Sequence, residues 1–286
     1  PYMSQNMSIV IGLCCYNSSP GLPRIFKNLR ELSTKFKSTV AIFCYDISRD
    51  NTLELIKNEF QRNAPCVAEL VANRYPRTHS RTHNISNARN TVLDVIKERY
   101  AHFELLSMMD CNEYACIGDI ELETLDDILR DDMIDRWDGI SFNREAGYYD
   151  YWALSFSPFV YSFFHCTGWQ QVVAAMRERF SKILDEEKGE LIYVYSAFNG
   201  FAIYKMSKFV DCRYSDKISV ELFPAGEIAK QCLAAKCNII DSLSDDCEHR
   251  NFHLESIKKH NSKIAVYNKS IFKKIHPAIP NLRGPA

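Results

Sequence analysis

The sequence has no apolar run of about 18 residues, which is the least that a membrane-spanning helix needs, so we expect no transmembrane segment. The apolar segment at residues 9–15 is too short for a signal peptide and lacks its flanks. The net charge is only −1, which leaves no strong field to attract nucleic acid or an anionic membrane. The locally basic segment 258–274 is typical of a solvated surface. These absences predict a protein with neither nucleic acid nor membrane among its partners.

Cysteine motifs for zinc or redox chemistry are also missing. The chain has 11 cysteines but no CxxC pair, which argues against a zinc ribbon or a thioredoxin-type centre. Cys14, Cys15 and Cys44 lie within apolar, strand-like runs, and Cys232 and Cys237 lie in a helix-like stretch. Buried free thiols explain these positions better than a disulfide framework does. We therefore expect a reducing, cytoplasmic location.

Hydrophobic runs alternate with amphipathic segments in the first half, and no repeat, low-complexity tract or linker divides the chain. The patterns predict strands at residues 8–16, 39–45, 67–72, 103–109 and 137–142, one or two strands within 191–204, and helices at 22–36, 53–60, 85–100, 169–184 and 228–235. This alternation implies a single α/β domain over residues 1–286, with a mainly parallel central sheet and helices on both faces. Ligands of such sheets collect beyond the carboxyl ends of the strands.

The segment after the fourth predicted strand reads Met108-Met109-Asp110-Cys111-Asn112-Glu113. An apolar strand ends on a carboxylate, and an amide and a second carboxylate follow within three residues. Oxygen ligands on one short turn suit a hard cation such as Mg²⁺ or Mn²⁺, which can also bind a diphosphate. Alternatively, Asp110 and Asn112 only end the strand in an Asx-turn.

A second polar segment, residues 46–52, follows the second predicted strand. Asp46 lies at the carboxyl end, where its carboxylate could accept hydrogen bonds from a ribose or a base. Asp50 or Asn51 could cap the helix that follows. Ligand binding and capping are compatible in this segment.

Two further segments carry clustered charges. Residues 80–90 include Arg81 and Arg89, which fall roughly on one helix face if the helix starts before Arg81 and could then neutralise a diphosphate. Residues 245–249 read Asp-Asp-Cys-Glu-His, and a histidine beside carboxylates could supply a metal ligand or a base. In both segments a solvated surface without function is the alternative.

Taken in this order, the segments resemble the nucleotide-diphospho-sugar transferases of the GT-A (Rossmann-like) fold. Within that group they are most similar to the fungal capsule-associated and cryptococcal α-mannosyltransferase family and its viral and bacterial relatives. The matching segments are residues 45–52, 81–90, 109–112, 137–140, 149–154, 196–200 and 247–249. Tyr-Asp-x-Trp-Ala-Leu at 149–154 and Cys-Glu-His at 247–249 are the most specific of them. Residues 80–93 are also similar to the collagen galactosyltransferases.

The resemblance implies a donor-binding half at about residues 7–115, an acceptor-side half at 116–255 and a basic tail at 256–286. A viral relative would work in the cytoplasm of its host cell. The residues that it places at the sugar-nucleotide donor, with a UDP- or GDP-linked sugar, are Asp46, Ser48, Arg81, Arg89, Asn90, Asp110 and Asn199. It places Mn²⁺ or Mg²⁺ on Asp110, Asn112 and His249. Asn112 stands where the family pattern has a second aspartate, which removes one negative charge from the site.

The implied reaction is metal-assisted transfer of a sugar to a hydroxyl of a glycan or glycoprotein. An inverting reaction needs a carboxylate base, and Glu248, Asp150 and Asp246 are the candidates in that order. A retaining reaction, as in the capsule mannosyltransferases, needs none. Asp150 and Trp152 would shape the sugar or acceptor pocket.

Two other functions stay open from the sequence. A nucleotidyltransferase would also bind metal and nucleotide at strand ends, but residues 16–21 after the first strand contain no lysine or arginine for its phosphate loop. A non-catalytic carbohydrate-binding or structural protein could use the aromatic segment 148–164 to stack on sugars. Much of that segment is alternatively core.

Overall fold

One eight-stranded sheet organises the chain. A computed structural model describes residues 6–61, 66–112, 118–145, 147–187, 191–218, 220–240 and 245–273. The strands are β1 (Ser8–Cys15), β2 (Ser38–Tyr45), β3 (Val67–Ala72), β4 (Leu105–Asp110), β5 (Gly139–Asn143), β6 (Leu191–Val194), β7 (Phe201–Lys205) and β8 (Ile264–Ser270). Their order is β3-β2-β1-β4-β7-β5-β8-β6. Only β7 and β6 run against the other strands, because β7 is antiparallel to both β4 and β5, and β6 to β8. The predicted mainly parallel sheet is confirmed.

Helices cover both faces of this sheet. They are α1 (Leu22–Ser33), α2 (Thr52–Phe60), α3 (Arg81–Arg99), α4 (Leu122–Ile128), α5 (Trp169–Glu186), α6 (Met206–Phe209), α7 (Glu227–Ala235) and α8 (Glu248–His260). Alternate residues of β1 belong to two separate cores: Ile9 and Ile11 pack in the core that includes α1, α2 and α4, and Val10 packs in the core that includes α3, α5 and α8. A strand buried on both faces reads as a continuous apolar run, which is what β1 shows. The predicted α/β fold with helices on both faces is confirmed.

Gly12 allows α3 to approach β1 closely. A Cβ atom at Gly12 would lie 2.5 Å from Val92 Cγ1 and 2.8 Å from Met108 Sδ. Both of these side chains are buried, so they could not easily move aside. The missing side chain therefore brings α3 against the sheet, and with it Arg89, which lies one turn before Val92.

Several elements differ from the sequence-based expectation. Helix α3 begins at Arg81 rather than at residue 85, because the Ser80 hydroxyl accepts the His83 N–H at 3.1 Å and caps the first turn. Helix α4 was not predicted. The predicted basic tail contains residues 256–260 of α8 and the whole of β8, which pairs with β5 and β6 inside the sheet. Lys274 and the later residues lie outside the described residues.

The basic segment is locally neutralised where it is described. Lys259, Lys269 and Lys273 each form an ion pair with a carboxylate, at 2.7, 2.6 and 3.3 Å. This pattern agrees with a solvated surface rather than with an anion site. Within the described ranges no helix has the length and apolarity to cross a membrane. The ten cysteines that the structure describes are free thiols.

Candidate functional site

The order of strands reverses at β1, and we call the edge of the sheet beyond the strand ends at this switch point the crevice. From β1 the chain continues through α1 to β2, whereas it reaches β4, on the other side of β1, from β3 through α3. In α/β sheets, ligands bind outside the carboxyl ends of the strands at such a switch point. Three polar residues mark this edge: Tyr16 directly follows β1, Asp46 directly follows β2, and Asp110 ends β4. The two segments in which functional residues were predicted, after the second and fourth strands, therefore lie at the same edge of the sheet.

Four side chains from three elements meet beside this crevice, and we call them the Arg89 cluster: Arg89, Asp110, Glu248 and His249. Arg89 Nη2 donates to Asp110 Oδ1 at 3.0 Å, and Nη1 contacts His249 Nε2. Arg89 Nε lies 3.3 Å from Glu248 Oε1, although the N–H does not point along that line. The Arg89 side chain is only 6% exposed, so these contacts lie in a region of low dielectric where they are strong.

Aromatic rings hold the guanidinium of Arg89 in place. Its Cζ lies 4.6 Å from the centre of the Phe198 ring and 5.5 Å from that of Tyr214. The imidazole of His249 stacks on Phe198 with ring centres 3.7 Å apart. Because both rings are buried, this cation–π contact is made without competing water.

The charges of the Arg89 cluster do not balance. Burial raises the pKa of Asp110 and of Glu248, and the nearby Arg89 and Arg81 oppose that rise. Burial would lower the pKa of Arg89, but the two carboxylates outweigh it and raise that pKa. Burial, and then the charge of Arg89, hold the pKa of His249 well below its usual value, so this imidazole is neutral. With both carboxylates ionised, one guanidinium faces two negative charges.

This donor set suits a divalent cation. A carboxylate from Asp110, an amide oxygen from Asn112 and a neutral imidazole from His249 are ligand types that Mn²⁺ accepts, and the excess negative charge favours a cation. Asp110 and His249 already face one common positive group, the guanidinium of Arg89. Asn112 is exposed, and its Nδ2 lies 3.5 Å from Asp110 Oδ2. The predicted metal ligands are thus neighbours, with Arg89 between two of them.

Asp150 is held at the same edge by Asn199. The Asn199 N–H donates to Asp150 Oδ2 at 3.3 Å, and its side-chain oxygen accepts the Asp150 N–H at 3.3 Å. The next residue, Gly200, accepts the Asp110 N–H at 2.9 Å, which links this turn to the end of β4. Asn199 has φ +57°, a conformation that asparagine tolerates better than most residues. Burial, reinforced by the charges of Asp110 and Glu248, raises the pKa of Asp150 to about 6.

A second group, the Asp46 pocket, consists of Tyr16, Asp46 and Arg77. Arg77 Nη1 donates to Asp46 Oδ2 at 2.5 Å, and the Arg77 guanidinium lies 3.5 Å from the centre of the Tyr16 ring. The Tyr16 residue is 38% exposed, and the Arg77 side chain is 34% exposed. A carboxylate, a guanidinium plane and an exposed aromatic ring together can bind a planar, polar ring system.

Two of the predicted donor residues support the backbone. The Ser48 hydroxyl accepts the Asn17 N–H at 3.0 Å and donates to the Asp46 carbonyl at 3.1 Å, so it joins the loops after β1 and β2. The Asn90 amide donates to the Tyr214 carbonyl at 2.9 Å and accepts the Tyr214 N–H at 3.0 Å. Both side chains therefore support the site by fixing the backbone of neighbouring segments.

Asp246 is also held in a structural contact. It is 1% exposed, and its Oδ2 accepts Arg250 Nε at 2.9 Å. The guanidinium of Arg250 also donates to the carbonyls of Leu154 and Val160, at 3.1 and 3.2 Å, and to that of Trp152. Arg250 therefore fixes the segment that follows Asp150 onto the start of α8.

Four residues of the site were not predicted from the sequence: Arg77, Arg250, Phe198 and Tyr214. Arg77 lies in a polar loop that also contains Arg74, and no spacing rule pairs it with Asp46, 31 residues earlier. Phe198 is part of the quoted segment 196–200, but its ring is apolar and its place beneath Arg89 follows only from the fold. Asp50, expected as a cap, accepts the Thr52 N–H at 3.1 Å and the Ser19 N–H at 3.1 Å. These bonds outweigh its desolvation and lower its pKa to about 2.

No protein-family model matches the chain, and no curated protein matches it either. Among solved structures it is similar to S. aureus TarS 1-349 in complex with UDP-GlcNAc, at 14% identity and a TM-score of 0.47, over 93% of this chain and 57% of that one. It is also similar to the mannosyltransferase PcManGT from Pyrobaculum calidifontis in complex with GDP-Man and Mn²⁺, at 15% identity and a TM-score of 0.39, over 73% of this chain and 47% of that one.

A third similar structure is the glucosyl-3-phosphoglycerate synthase from Mycobacterium tuberculosis with Mn²⁺, UDP and glucosyl-3-phosphoglycerate. The identity is 11% and the TM-score 0.38, over 71% of this chain and 58% of that one. The chain therefore spans less than two thirds of each of these three structures. At such identities and TM-scores, function has to be inferred from the residues of the site.

Proposed function

We propose that the protein is a glycosyltransferase that moves a sugar from a nucleotide-diphosphate sugar to a hydroxyl of a glycan or protein acceptor, with help from a divalent cation. The observation that carries the proposal is the position of the Arg89 cluster. A buried guanidinium, two carboxylates and a neutral imidazole lie at the switch point of the sheet, next to the Asp46 pocket. One side of the crevice thus offers a place for a base and ribose, and the other a place for a diphosphate.

The donor would lie across the two halves of this edge. Tyr16 and Arg77 would stack on the base, which is UDP- or GDP-linked, and Asp46 would accept a hydrogen bond from the nucleoside. Arg81, the exposed first residue of α3, and Arg89, eight residues later, would face the diphosphate. Guanidinium groups bind phosphate oxygens in pairs of parallel hydrogen bonds, so they both position the donor and stabilise charge on it.

Asp110, Asn112 and His249 would hold Mn²⁺ or Mg²⁺. When bound, such an ion would supply positive charge to the leaving nucleoside diphosphate. The chain itself contributes the neutral imidazole of His249, which a metal ligand must be, and the fixed carboxylate of Asp110. Phe198 keeps the plane of His249 constant.

The acceptor would approach from the side of Asp150, Trp152 and the half-buried aromatic residues Phe164 and Trp169. In the transfer step the acceptor oxygen bonds to the anomeric carbon, and the bond from that carbon to the diphosphate oxygen breaks. Asp150 would take the proton of the acceptor hydroxyl. Glu248 is paired with Arg89 and Asp246 with Arg250, which leaves Asp150 as the base of an inverting reaction.

The aromatic segment around Asp150 is partly core, since Tyr148, Phe156 and Phe159 are buried. The free thiols fit a reducing, cytoplasmic setting for this chemistry.

A donor panel tests the proposal. We expect one family of sugar nucleotides, either UDP- or GDP-linked, to raise the melting temperature in the presence of Mn²⁺, since a ligand at 100 times its dissociation constant stabilises the folded state by about 2.7 kcal/mol. Tyr16→Ala should lower the binding affinity for that donor about tenfold or more, because stacking of an aromatic ring on a base contributes about 1–3 kcal/mol. Tyr193→Ala is the matched control, since Tyr193 is 54% exposed on the edge strand β6.

The same samples separate the competing functions. Slow release of nucleoside diphosphate from the stabilising donor supports a transferase. Pyrophosphate formation from a nucleoside triphosphate and a sugar phosphate would instead indicate a nucleotidyltransferase. Sugar binding without any donor cleavage would indicate a binding module. No shift with any donor would contradict the proposal.

The pH dependence tests the role of Asp150. A base with a pKa of about 6 is charged and active above that pH, so kcat/KM should fall roughly tenfold for each pH unit below 6. Asp150→Asn should lower kcat by about 100-fold or more and remove this acid limb, while donor-induced stabilisation persists. An acid limb that survives in Asp150→Asn would show that another group is the base or that no base is needed.

A further inference from the structure

Arg89 occupies the space between two of the proposed metal ligands. We propose that Arg89 is a resident counter-ion of the site: it offsets part of the charge of Asp110 and Glu248 until a nucleoside diphosphate draws it away, and only then does the divalent cation bind tightly. This inference rests on the proposed function, and it adds a control on metal binding. Metal and donor would accordingly bind as a pair.

The contacts of Arg89 leave little room for a second cation. Its Nη2 holds Asp110 Oδ1 at 3.0 Å, its Nη1 contacts His249 Nε2, and its Nε lies 3.3 Å from Glu248 Oε1. A metal ion on Asp110 and His249 needs the same Nε2 atom of His249, and while Arg89 holds Asp110 Oδ1 the ion could use only Oδ2 of that carboxylate. A guanidinium cannot be deprotonated in a protein, so the only way to free these atoms is to move the side chain.

Arg89 cannot leave without a new partner. Its side chain is 6% exposed, and an isolated charge in such a place is strongly disfavoured. A diphosphate beside α3 is a suitable partner, because Arg89 Nε has no hydrogen-bond acceptor among the described residues. The contacts with Phe198 and Tyr214, at 4.6 and 5.5 Å from Cζ, are not hydrogen bonds, so the guanidinium could shift towards that anion without breaking one to either ring.

The exchange leaves the net charge of the site unchanged, because the divalent cation and the diphosphate bring equal and opposite charges. Without ligands, one guanidinium faces Asp110 and Glu248. With both ligands, the cation faces these carboxylates and the diphosphate, and Arg89 faces the diphosphate. With the cation alone, Arg89 would be pushed from its carboxylates with no anion to receive it, and two positive groups would meet. The structure therefore favours binding of the pair over binding of the cation alone.

The test measures Mn²⁺ binding without nucleotide, from the free-ion signal in electron paramagnetic resonance. Wild-type protein should bind Mn²⁺ weakly, and Arg89→Gln should bind it about tenfold more tightly or better, because a competing charge in contact with the ligands is gone. Arg81→Gln removes a positive charge from the same helix face, but Arg81 is exposed, so we expect less than about a threefold change. That variant separates displacement from a general loss of charge.

Folding of the variants is followed by thermal unfolding with and without Mn²⁺. Arg89→Gln leaves two carboxylates unpaired, so it should melt earlier than wild type and be rescued by Mn²⁺ alone, whereas wild type should show no comparable shift. Arg89→Lys keeps a charge but not the three-way contact, because an ammonium is a point donor. It should fold and bind Mn²⁺ with intermediate affinity.

The outcomes that overturn the inference are distinct from those that overturn the proposed function. If Arg89→Gln and Arg89→Lys bind Mn²⁺ no more tightly than wild type, or if Arg81→Gln matches Arg89→Gln, the counter-ion role is wrong, while donor cleavage by wild type would still support the transferase. If wild type binds no Mn²⁺ even with UDP or GDP, both the inference and the metal assistance fail.

Discussion

Replacing Arg250 by methionine should destabilise the folded protein by about 3–5 kcal/mol, the usual cost of removing one partner from a buried ion pair. Arg250 is fully buried and pairs with Asp246, which is 1% exposed. Its guanidinium also satisfies the carbonyls of Trp152, Leu154 and Val160. Methionine fills a similar volume but leaves the Asp246 charge and these carbonyls without their donor.

Thermal unfolding measures this effect. For a domain of this size, 3–5 kcal/mol corresponds to a fall in melting temperature of about 6–15 °C. The double variant Arg250→Met with Asp246→Asn should recover part of the loss, since neither charge then remains buried. Arg130→Met is the matched control: Arg130 forms only surface ion pairs and is 45% exposed, so its melting temperature should stay close to that of wild type. An Arg250→Met protein as stable as the control would show that the buried pair contributes little.

Sequence periodicity predicted the first half of the fold well for a physical reason. Strands β1, β2 and β4 are buried on both faces, so each reads as an apolar run bounded by polar residues, and α1 shows one apolar stripe. In the second half, β8 was missed because its apolar run is only four residues long, 264–267, and the rest of the strand is polar. It is nevertheless an interior strand, since β5 and β6 pair on either side of it.

Helix α8 shows why the site could be only partly predicted. Glu248, His249, Arg250 and His253 are all buried, so the helix has polar residues on its inner face and no apolar stripe to identify it. The Cys-Glu-His segment could be recognised as chemically interesting, but pattern alone could not separate its members. In the structure, Glu248 and His249 contact Arg89. Asp246 and Arg250 instead form a buried ion pair with a structural role.

The candidate base changed for the same reason. The ranking from the sequence placed Glu248 before Asp150 as the candidate base. The partners of each carboxylate favour the reverse order, since Glu248 faces the guanidinium of Arg89, whereas among the described residues Asp150 accepts backbone N–H groups at 3.3 Å. Partners 49 or more residues apart in the chain cannot be read from spacing.

Replacing Asp110 by asparagine should reduce sugar transfer by about 100- to 1000-fold while leaving the fold intact. Asp110 ends β4 at the switch point, pairs with Arg89 at 3.0 Å and is the charged member of the proposed metal ligands. Loss of one preorganised charge that stabilises a leaving group typically has an effect of this size. Burial already raises the pKa of this carboxyl, so a neutral amide of the same shape is tolerated by the folded state.

Steady-state transfer, donor hydrolysis and thermal unfolding together check this expectation. Asp110→Asn should lower both rates and weaken Mn²⁺ binding, with a melting temperature near that of wild type. Asp135→Asn makes the same chemical change at a side chain that is 90% exposed and should leave the rates unchanged. Full activity of Asp110→Asn in saturating Mn²⁺ would show that the Arg89 cluster takes no part in the reaction. The proposed roles of the other cluster members depend on a metal ion and a diphosphate bound beside Asp110.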